Sequence, residues 1–313
     1  MTGPGQPVTV VVPATSANLG PGFDSLGLAL TLHDTVRAWV TDAGLQVDVT
    51  GVGADHAWGS ADKHLVIQAM QAGFAAAGEE PAGIAISCRN EVPQGFGLGS
   101  SAAAIVAGLL AARALVARQA AAACPADVLP DAEVLRLACE MEGHADNVAA
   151  CLTGGLTITW AGAGGPQVAR LTPAPGLVPV LCVPAIPVAT KTARNALPEL
   201  VPHADAAANS ARAALLVTAL TGRPDLLLAG SEDFLHQRYR APVMPGSMSL
   251  IAALRTAGIA AVISGAGPAV LALTVDSGDG DAKAVARIAA RHDEPWRVLP
   301  LRVDTHGARL VGG

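Results

Sequence analysis

PQGFGLGSSAA, running from Pro93 to Ala103, is the stretch on which the reading of the whole chain turns. Gly95, Gly97 and Gly99 stand at every second position, two serines follow, and the run AAAIVAGLLAARALVAR comes directly behind them. Glycine reaches positive φ and lets backbone approach a ligand closely. Serine is a preferred N-cap, and alanine, leucine and arginine are strong helix formers. The stretch therefore predicts a flexible loop feeding a helix N-terminus, where unpaired N–H groups and the positive end of the helix dipole favour an anion such as phosphate. It lacks the lysine of a Walker A loop and does not fit GxGxxG. By spacing alone, a glycine-rich cap or hairpin beside a buried helix remains the alternative.

Length and composition set the frame. At 313 residues the chain suits two domains. Aromatics make up 3 % and charged residues 15 %, so the core is built of small aliphatics. The net charge of −6 and the scatter of the basic residues point away from nucleic-acid or anionic-membrane partners. Cys88, Cys124, Cys139, Cys151 and Cys182 never form CxxC, which reads as small buried hydrophobes in a reducing compartment rather than a disulfide framework or zinc site. The N-terminus has no basic n-region, and the apolar stretch GLVPVLCVPAIPVA is interrupted by prolines, so a cytoplasmic protein is expected.

Along the chain, 8–14 reads as a strand, 34–50 as a hairpin, 62–78 as a helix and 83–92 as a strand. A composition change near 162–176 places a division between residues 1–165 and 166–313. The second half reads as a strand at 177–183, helices at 205–221, at 223–236 and up to Gly258, a glycine-bent strand pair, a helix at 281–292 and a last strand near 297–304. Strands and helices alternate without the long runs of a doubly wound sheet, which gives α+β.

Three further stretches carry polar groups. PATSANLGPGFDSLGLAL (13–30) puts Asn18 and Asp24 around a Gly-Pro-Gly turn that both side chains could simply stabilise. In EMEGHADN, Glu142 and Asp146 are spaced i, i+4, which on a continuous helix stacks two carboxylates on one side. That arrangement suits a cation such as magnesium, or a solvated acidic face. SGAGPAVLAL (264–273) reads as a bend between two apolar runs.

Taken together, these stretches resemble the GHMP kinases. Residues 93–103 match every fixed position of that family's phosphate loop, PxxxGLGSSAA, and 13–30 resembles the N-terminal motif of its homoserine-phosphorylating branch. The resemblance implies a two-domain fold: an N-terminal α/β domain carrying the phosphate loop and a C-terminal ferredoxin-like α+β domain. It also implies ATP and Mg²⁺ as cofactors and transfer of the γ-phosphate to the hydroxyl of L-homoserine. Pro93, Gly95, Gly97, Leu98, Gly99, Ser100, Ser101, Ala102 and Ala103 would hold the triphosphate. Ser101 and Glu142 would hold the metal, with Glu140 as the fallback and Ser100 close by. Asn18, Asp24, Asp146, Thr190, Arg194 and Arg240 would bind the substrate, the two arginines taking its carboxylate. Asp146, Asn147, Ser101 and Glu142 form the expected catalytic group; whether a general base exists is left open, with Asp146 taken as a substrate contact and Asn147 as the other possible counterpart of the Asp that mevalonate-phosphorylating members use there. Ser264, Gly265 and Gly267 would shape the site, His144 would hydrogen-bond beside it, and Arg238 would be a bystander. His64 stands where the family usually has Asn near the purine, so no base-recognition role is assigned there. A homodimer is the expected assembly; the competing readings are another GHMP small-molecule kinase, for mevalonate or an isoprenoid precursor, and a silent ligand-binding relative.

Overall fold

Alternating β-branched residues in the first apolar run pair into β1 (Val8–Ala17), which lies antiparallel to the long β2 (Leu26–Thr41). The pairing slips between Pro13 and Ala14, where a proline cannot continue the ladder. The computed structural model describes residues 6–54, 60–275 and 280–312, and among these the chain builds two sheets. The first five residues, part of the N-terminal stretch read for targeting signals, lie outside the described residues.

The first sheet has seven strands in the order β11-β1-β2-β4-β3, with β5 beside β2 and β6 beside β5. The hairpin expected over 34–50 does not form. β3 (Gly44–Gly51) pairs in parallel with β4 (Gly83–Asn90), and β4 sits between it and β2. Burial explains the order: β4 is buried along most of its length, whereas β3 alternates exposed and half-buried residues and takes the edge. β5 (Leu156–Gly162) and β6 (Gly165–Leu171) form a hairpin, so a division after residue 165 falls one residue into its second strand. The chain reaches the second sheet at β7 (Leu177–Pro184).

Four helices cover the first sheet: α1 (Leu65–Ala76), α2 (Ser100–Gln119), α3 (Asp131–Glu142) and α4 (Ala145–Thr153). α2 is apolar nearly all round. Length and composition alone would let it cross a membrane, but 78 % of its most apolar 18-residue window is buried inside the protein, where it is the central core helix. Gly108 lets it approach α1 closely, since a Cβ there would lie 2.5 Å from the Val66 carbonyl oxygen. Of the cysteines, Cys88, Cys151 and Cys182 are buried as expected, but Cys139 is half-buried and Cys124 is exposed in the loop after α2.

The second sheet orders its four strands β10-β7-β9-β8, all antiparallel, with β8 (Ala260–Ile263), β9 (Val270–Val275) and β10 (Trp296–Pro300). In sequence order that is 4-1-3-2, the ferredoxin-like arrangement. Between β7 and β8 run α5 (Thr190–Asn195), α6 (His203–Thr221), the short α7 (Leu227–Gly230) and α8 (Gln237–Arg240), and α9 (Pro245–Thr256). The helix expected at 223–236 is only that one short turn of α7 after a 3₁₀ segment. α10 (Gly280–Ala289) precedes β10.

An apolar layer joins the halves. Leu19, Leu28, Leu30, Leu98 and Leu156 from the first half pack with Leu181, Leu216, Val262 and Leu271 from the second. The chain end then crosses back: β11 (Arg309–Val311) pairs with β1, a strand that the sequence pattern did not reveal. Asp304 anchors this return. Its carboxylate accepts from the backbone N–H groups of His306 and Gly307 and meets His33 Nε2 at 2.5 Å.

Burial pushes the Asp304 carboxyl up, but His33 and those two N–H groups outweigh it and bring it down to about 2. Because the folded value lies below the unfolded one, the stabilisation is fully present above about pH 4 and is lost as pH falls toward 2. Asp304→Asn should therefore cost about 2 kcal/mol at pH 7, and the difference from wild type should shrink below pH 4, remain sizeable at pH 3 and nearly vanish only at about pH 2 in urea melts across that range.

Candidate active site

The loop 93–99 arrives from β4 and is fixed mainly by backbone. The Leu98 carbonyl accepts from Thr15 N–H (3.0 Å), the Phe96 carbonyl from Ala269 N–H (3.2 Å), and the Gly97 carbonyl from Ser264 Oγ (2.8 Å), which also lies 2.9 Å from Ser16 Oγ. Leu98 is buried in the shared apolar layer. Gly95, Gly97 and Gly99 all have positive φ, the last as the N-cap of α2. No side chain caps that helix. Its first-turn N–H groups therefore open on the cleft lined by Gly95, Gly97, Leu98, Gly99, Ser100 and Ser101. Pro93 is buried behind the loop, Ala102 is buried in the core, and Ala103 lines a neighbouring pocket.

Glu142 and Asp146 both line the cleft, but not on one helix. The continuous turn expected for them is broken: α3 ends at Glu142, Gly143 turns left-handed at φ 81°, and His144 opens α4. The two carboxylates accordingly point to different partners. Glu142 accepts from Ser101 Oγ at 2.7 and 2.6 Å to its two oxygens. Burial raises the Glu142 carboxyl, opposed by Ser101 and the nearby Arg194. Asp146 Oδ1 accepts its neighbour's N–H (Asn147, 2.8 Å). Burial foremost, then the charges of Asp24 and Glu142, push Asp146 up to about 6 against that N–H and Arg194. Asn147 is held from the far side by Thr15, whose hydroxyl donates to Oδ1 at 2.8 Å. Burial and Arg194 lower the His144 imidazole, which keeps it neutral beside them. Glu140 is drawn away, paired with Arg136 on the same helix.

The opposite wall comes from the second half and from the 18–24 loop. The Gly265 carbonyl accepts from Asn18 Nδ2 (2.8 Å) and from Arg240 Nη1 (3.0 Å). Asn18 Oδ1 accepts from Asp24 N–H (2.9 Å), and Asp24 pairs with Arg194 at 3.0 Å. Asp24 thus stands at the rim rather than in the lining. Asn18, Leu19 and Asp24 all have positive φ, and Leu19 holds that strained geometry by being wholly buried. Arg240 is fully buried and Arg194 is 30 % exposed. Thr190 completes this wall, while Arg238 turns outward to Asp205 and Tyr239. Sequence reasoning missed Phe23, whose ring lies 5.9 Å from the Arg194 guanidinium carbon and 5.8 Å from that of Arg240. It also missed the second, more apolar pocket on the other side of Ser100 and Ser101, lined by Val36, Leu65, His64, Asn90 and Gln94 among others.

The resulting cleft has three chemical zones: open N–H groups for an anion, a hydroxyl beside a carboxylate, and two guanidinium groups near a buried aspartate whose carboxyl is raised to about 6. Comparison with known proteins gives the same outline. The family model for the GHMP kinases N terminal domain matches residues 64–155, and that for the GHMP kinases C terminal matches 206–294. A homoserine kinase from Streptomyces coelicolor is 50 % identical over 304 residues, covering 97 % of this chain and 94 % of that one. One from Clavibacter michiganensis is 48 % identical, covering 98 % and 94 %. The crystal structure of homoserine kinase from Cytophaga hutchinsonii superposes with a TM-score of 0.84 at 28 % identity, with 98 % of each chain covered.

The loop's glycines are not equivalent. A Cβ on Gly97 would lie 2.1 Å from the Ser264 carbonyl oxygen, whereas one on Gly143 would meet nothing within 4 Å. Both have positive φ, so alanine at either costs about 1–2 kcal/mol in the backbone. Gly97→Ala must in addition push the two halves apart. It should lower the melting temperature more than Gly143→Ala does and abolish nucleotide binding measured by calorimetry.

Proposed function

Because the chain belongs to the GHMP kinase family, we propose that it is an ATP-dependent small-molecule kinase that phosphorylates the hydroxyl of L-homoserine, giving O-phospho-L-homoserine for threonine biosynthesis. The observation that carries this reading is convergence. The open mouth of α2, the Ser101–Glu142 pair and the guanidinium groups of Arg194 and Arg240 meet at one cleft, although they come from four separate stretches of chain.

The triphosphate is assigned to the loop 95–101, whose N–H groups and helix end supply positive potential without a lysine. The neighbouring apolar pocket is assigned to the base, with His64, Asn90 and Gln94 as its polar edge. A hydroxyl and a carboxylate within hydrogen-bonding distance form an all-oxygen donor pair, which fits Mg²⁺; such an ion takes few protein ligands and fills its shell with phosphate and water. Ser101 and Glu142 would hold it, and it would supply charge neutralisation between the β- and γ-phosphates. Among the described residues no group of three or more His, Cys, Asp or Glu is placed to hold a metal by itself, in keeping with that small share.

The substrate's carboxylate is assigned to Arg194 and Arg240, and its ammonium to Asp24 and the Asn18 side. Arg240 is suited to this role because its Nη2 is buried with no protein hydrogen-bond partner. Held at that end, the four-carbon chain carries its hydroxyl toward Asp146 and Asn147. The hydroxyl oxygen forms the new bond to phosphorus as the bond to the bridging oxygen breaks; ADP leaves with that electron pair, and the hydroxyl proton is released to solvent by way of the transferred phosphoryl oxygens. Phosphoryl transfer depends on positioning and charge neutralisation more than on covalent help from protein. Asp146 accordingly serves as the acceptor that orients the hydroxyl.

An ADP-release assay against homoserine, mevalonate and galactose tests the assignment, and only homoserine should give turnover above background. The role of Asp146 has its own test. Its ionised form is the acceptor and its folded value is raised to about 6, so wild-type kcat/KM should hold above that pH and fall below it. Asp146→Asn should remove this limb and raise KM for homoserine, with kcat within about tenfold. A limb in kcat itself that vanishes in the variant would make Asp146 the general base instead.

A further inference from the structure

Among the described residues no carboxylate pairs with Arg240, which is fully buried with its orientation fixed by a small set of acceptors. Nε donates to the Ala193 carbonyl (3.3 Å). One proton of Nη1 goes to the Gly265 carbonyl (3.0 Å) and the other meets His236 Nδ1 (3.0 Å). Two of these acceptors are backbone, so His236 is the side chain that sets the guanidinium's rotation. His236 is itself wholly buried. Its Nε2 lies 2.9 Å from the Gly20 carbonyl, which accepts a proton and cannot give one. Nε2 therefore carries the hydrogen, and Nδ1 is left as a lone pair aimed at Arg240.

The surroundings hold that state. One turn away, Arg240 faces the ring from α8, and Asp233, whose oxygens accept the N–H groups of Leu235, His236 and Gln237, lies 3.8 Å from Nε2. From the 18–24 loop come the Phe23 ring, with centroids 5.1 Å apart, and behind it Asp24 with its partner Arg194. Burial, with Arg240, keeps the imidazole well below its usual range against the pull of Asp233. A protonated ring would lose the acceptor and set a second positive charge against the guanidinium.

We infer that His236 is a positioning residue for the substrate carboxylate: as a neutral Nδ1 acceptor it turns Arg240 so that the unpaired Nη2 edge faces the cleft. The inference rests on the assignment of Arg240 to that carboxylate. Its signature is selective, because a group that acts only through Arg240 should matter only for substrates that carry the carboxylate.

The experiment compares wild type, His236→Leu and His236→Asn with ATP and either L-homoserine or 3-aminopropan-1-ol, the same amino alcohol without the carboxylate. His236→Leu should raise KM for homoserine about tenfold or more, leave KM for ATP within about twofold, and leave kcat/KM for the aminopropanol unchanged. His236→Asn, whose Oδ1 can stand near the former Nδ1, should recover most of the loss. A homoserine KM within about twofold of wild type in His236→Leu overturns the inference. So does an equal loss on both alcohols, which is what damage to the fold alone gives. Should thermal melting show that the leucine variant does not fold, His236→Gln replaces it: that side chain reaches Gly20 and lacks an acceptor at Nδ1, and its homoserine KM must rise. Wild type that turns over neither alcohol overturns the reaction assignment, and the role of His236 with it, whereas normal turnover with an indifferent His236→Leu overturns the histidine's role alone.

Discussion

Contact between two glycine-rich bends, at Gly97 and at Ser264 to Gly267, is the constraint on which the site depends. The approach is closer than any side chain permits, and Ser264 ties it down through the Gly97 carbonyl. Carbonyl groups of the 93–99 loop are thereby turned inward, toward β1 and the second half. What faces the cleft is the uncapped start of α2. The loop is organised before any ligand arrives, and a preorganised set of dipoles needs no rearrangement during reaction. Leu98 adds the apolar part of the junction, since its side chain belongs to the layer that both halves share.

Electrostatics work locally in this protein. A net charge of −6 opposes the approach of an anionic nucleotide at long range and does nothing to draw in a zwitterion. Positive potential is instead local: the helix dipole, the N–H groups at the start of α2 and the two arginines all face one cleft. The cost of burying Arg240 shows in its guanidinium, which burial and the neighbouring Arg194 bring down to about 10. Carbonyl and imidazole acceptors offset part of that cost, and a bound carboxylate would supply the rest.

Much of this was legible in the sequence because the chemistry sits in short, contiguous motifs. The glycine-rich loop at 93–103 and the Asn18–Asp24 turn could be read from the residues themselves, the arginines at 194 and 240 only through the family resemblance, and the structure brings the loop, Asn18 and both arginines to one cleft with Asp24 at its rim. Pairings at long range were not legible. β3 and β4 pair in parallel across a helix, and β11 returns to β1 from the far end of the chain, so neither leaves a local signal. His236 and Phe23 were missed for the same reason. A lone histidine on a short helix and an aromatic in a turn acquire meaning only when folding sets them against Arg240.

The misread turn at 140–147 teaches the most about mechanism. Two carboxylates at i, i+4 on an unbroken helix would stack, repel each other and face one ion together. Gly143 ends α3 in the left-handed region, and a side chain there would touch nothing, so backbone conformation is what glycine provides at this position. The break swings Glu142 to the Ser101 hydroxyl and leaves Asp146 in the first turn of α4, buried, with its oxygen taking the Asn147 N–H. Different surroundings then set the two acids apart: Glu142 sits against a hydroxyl in an all-oxygen pair, and Asp146, its carboxyl raised to about 6, lines the cleft beside Asn147. One glycine thus splits an acidic patch into two separate environments, a separation that the i, i+4 spacing hides and the helix break creates.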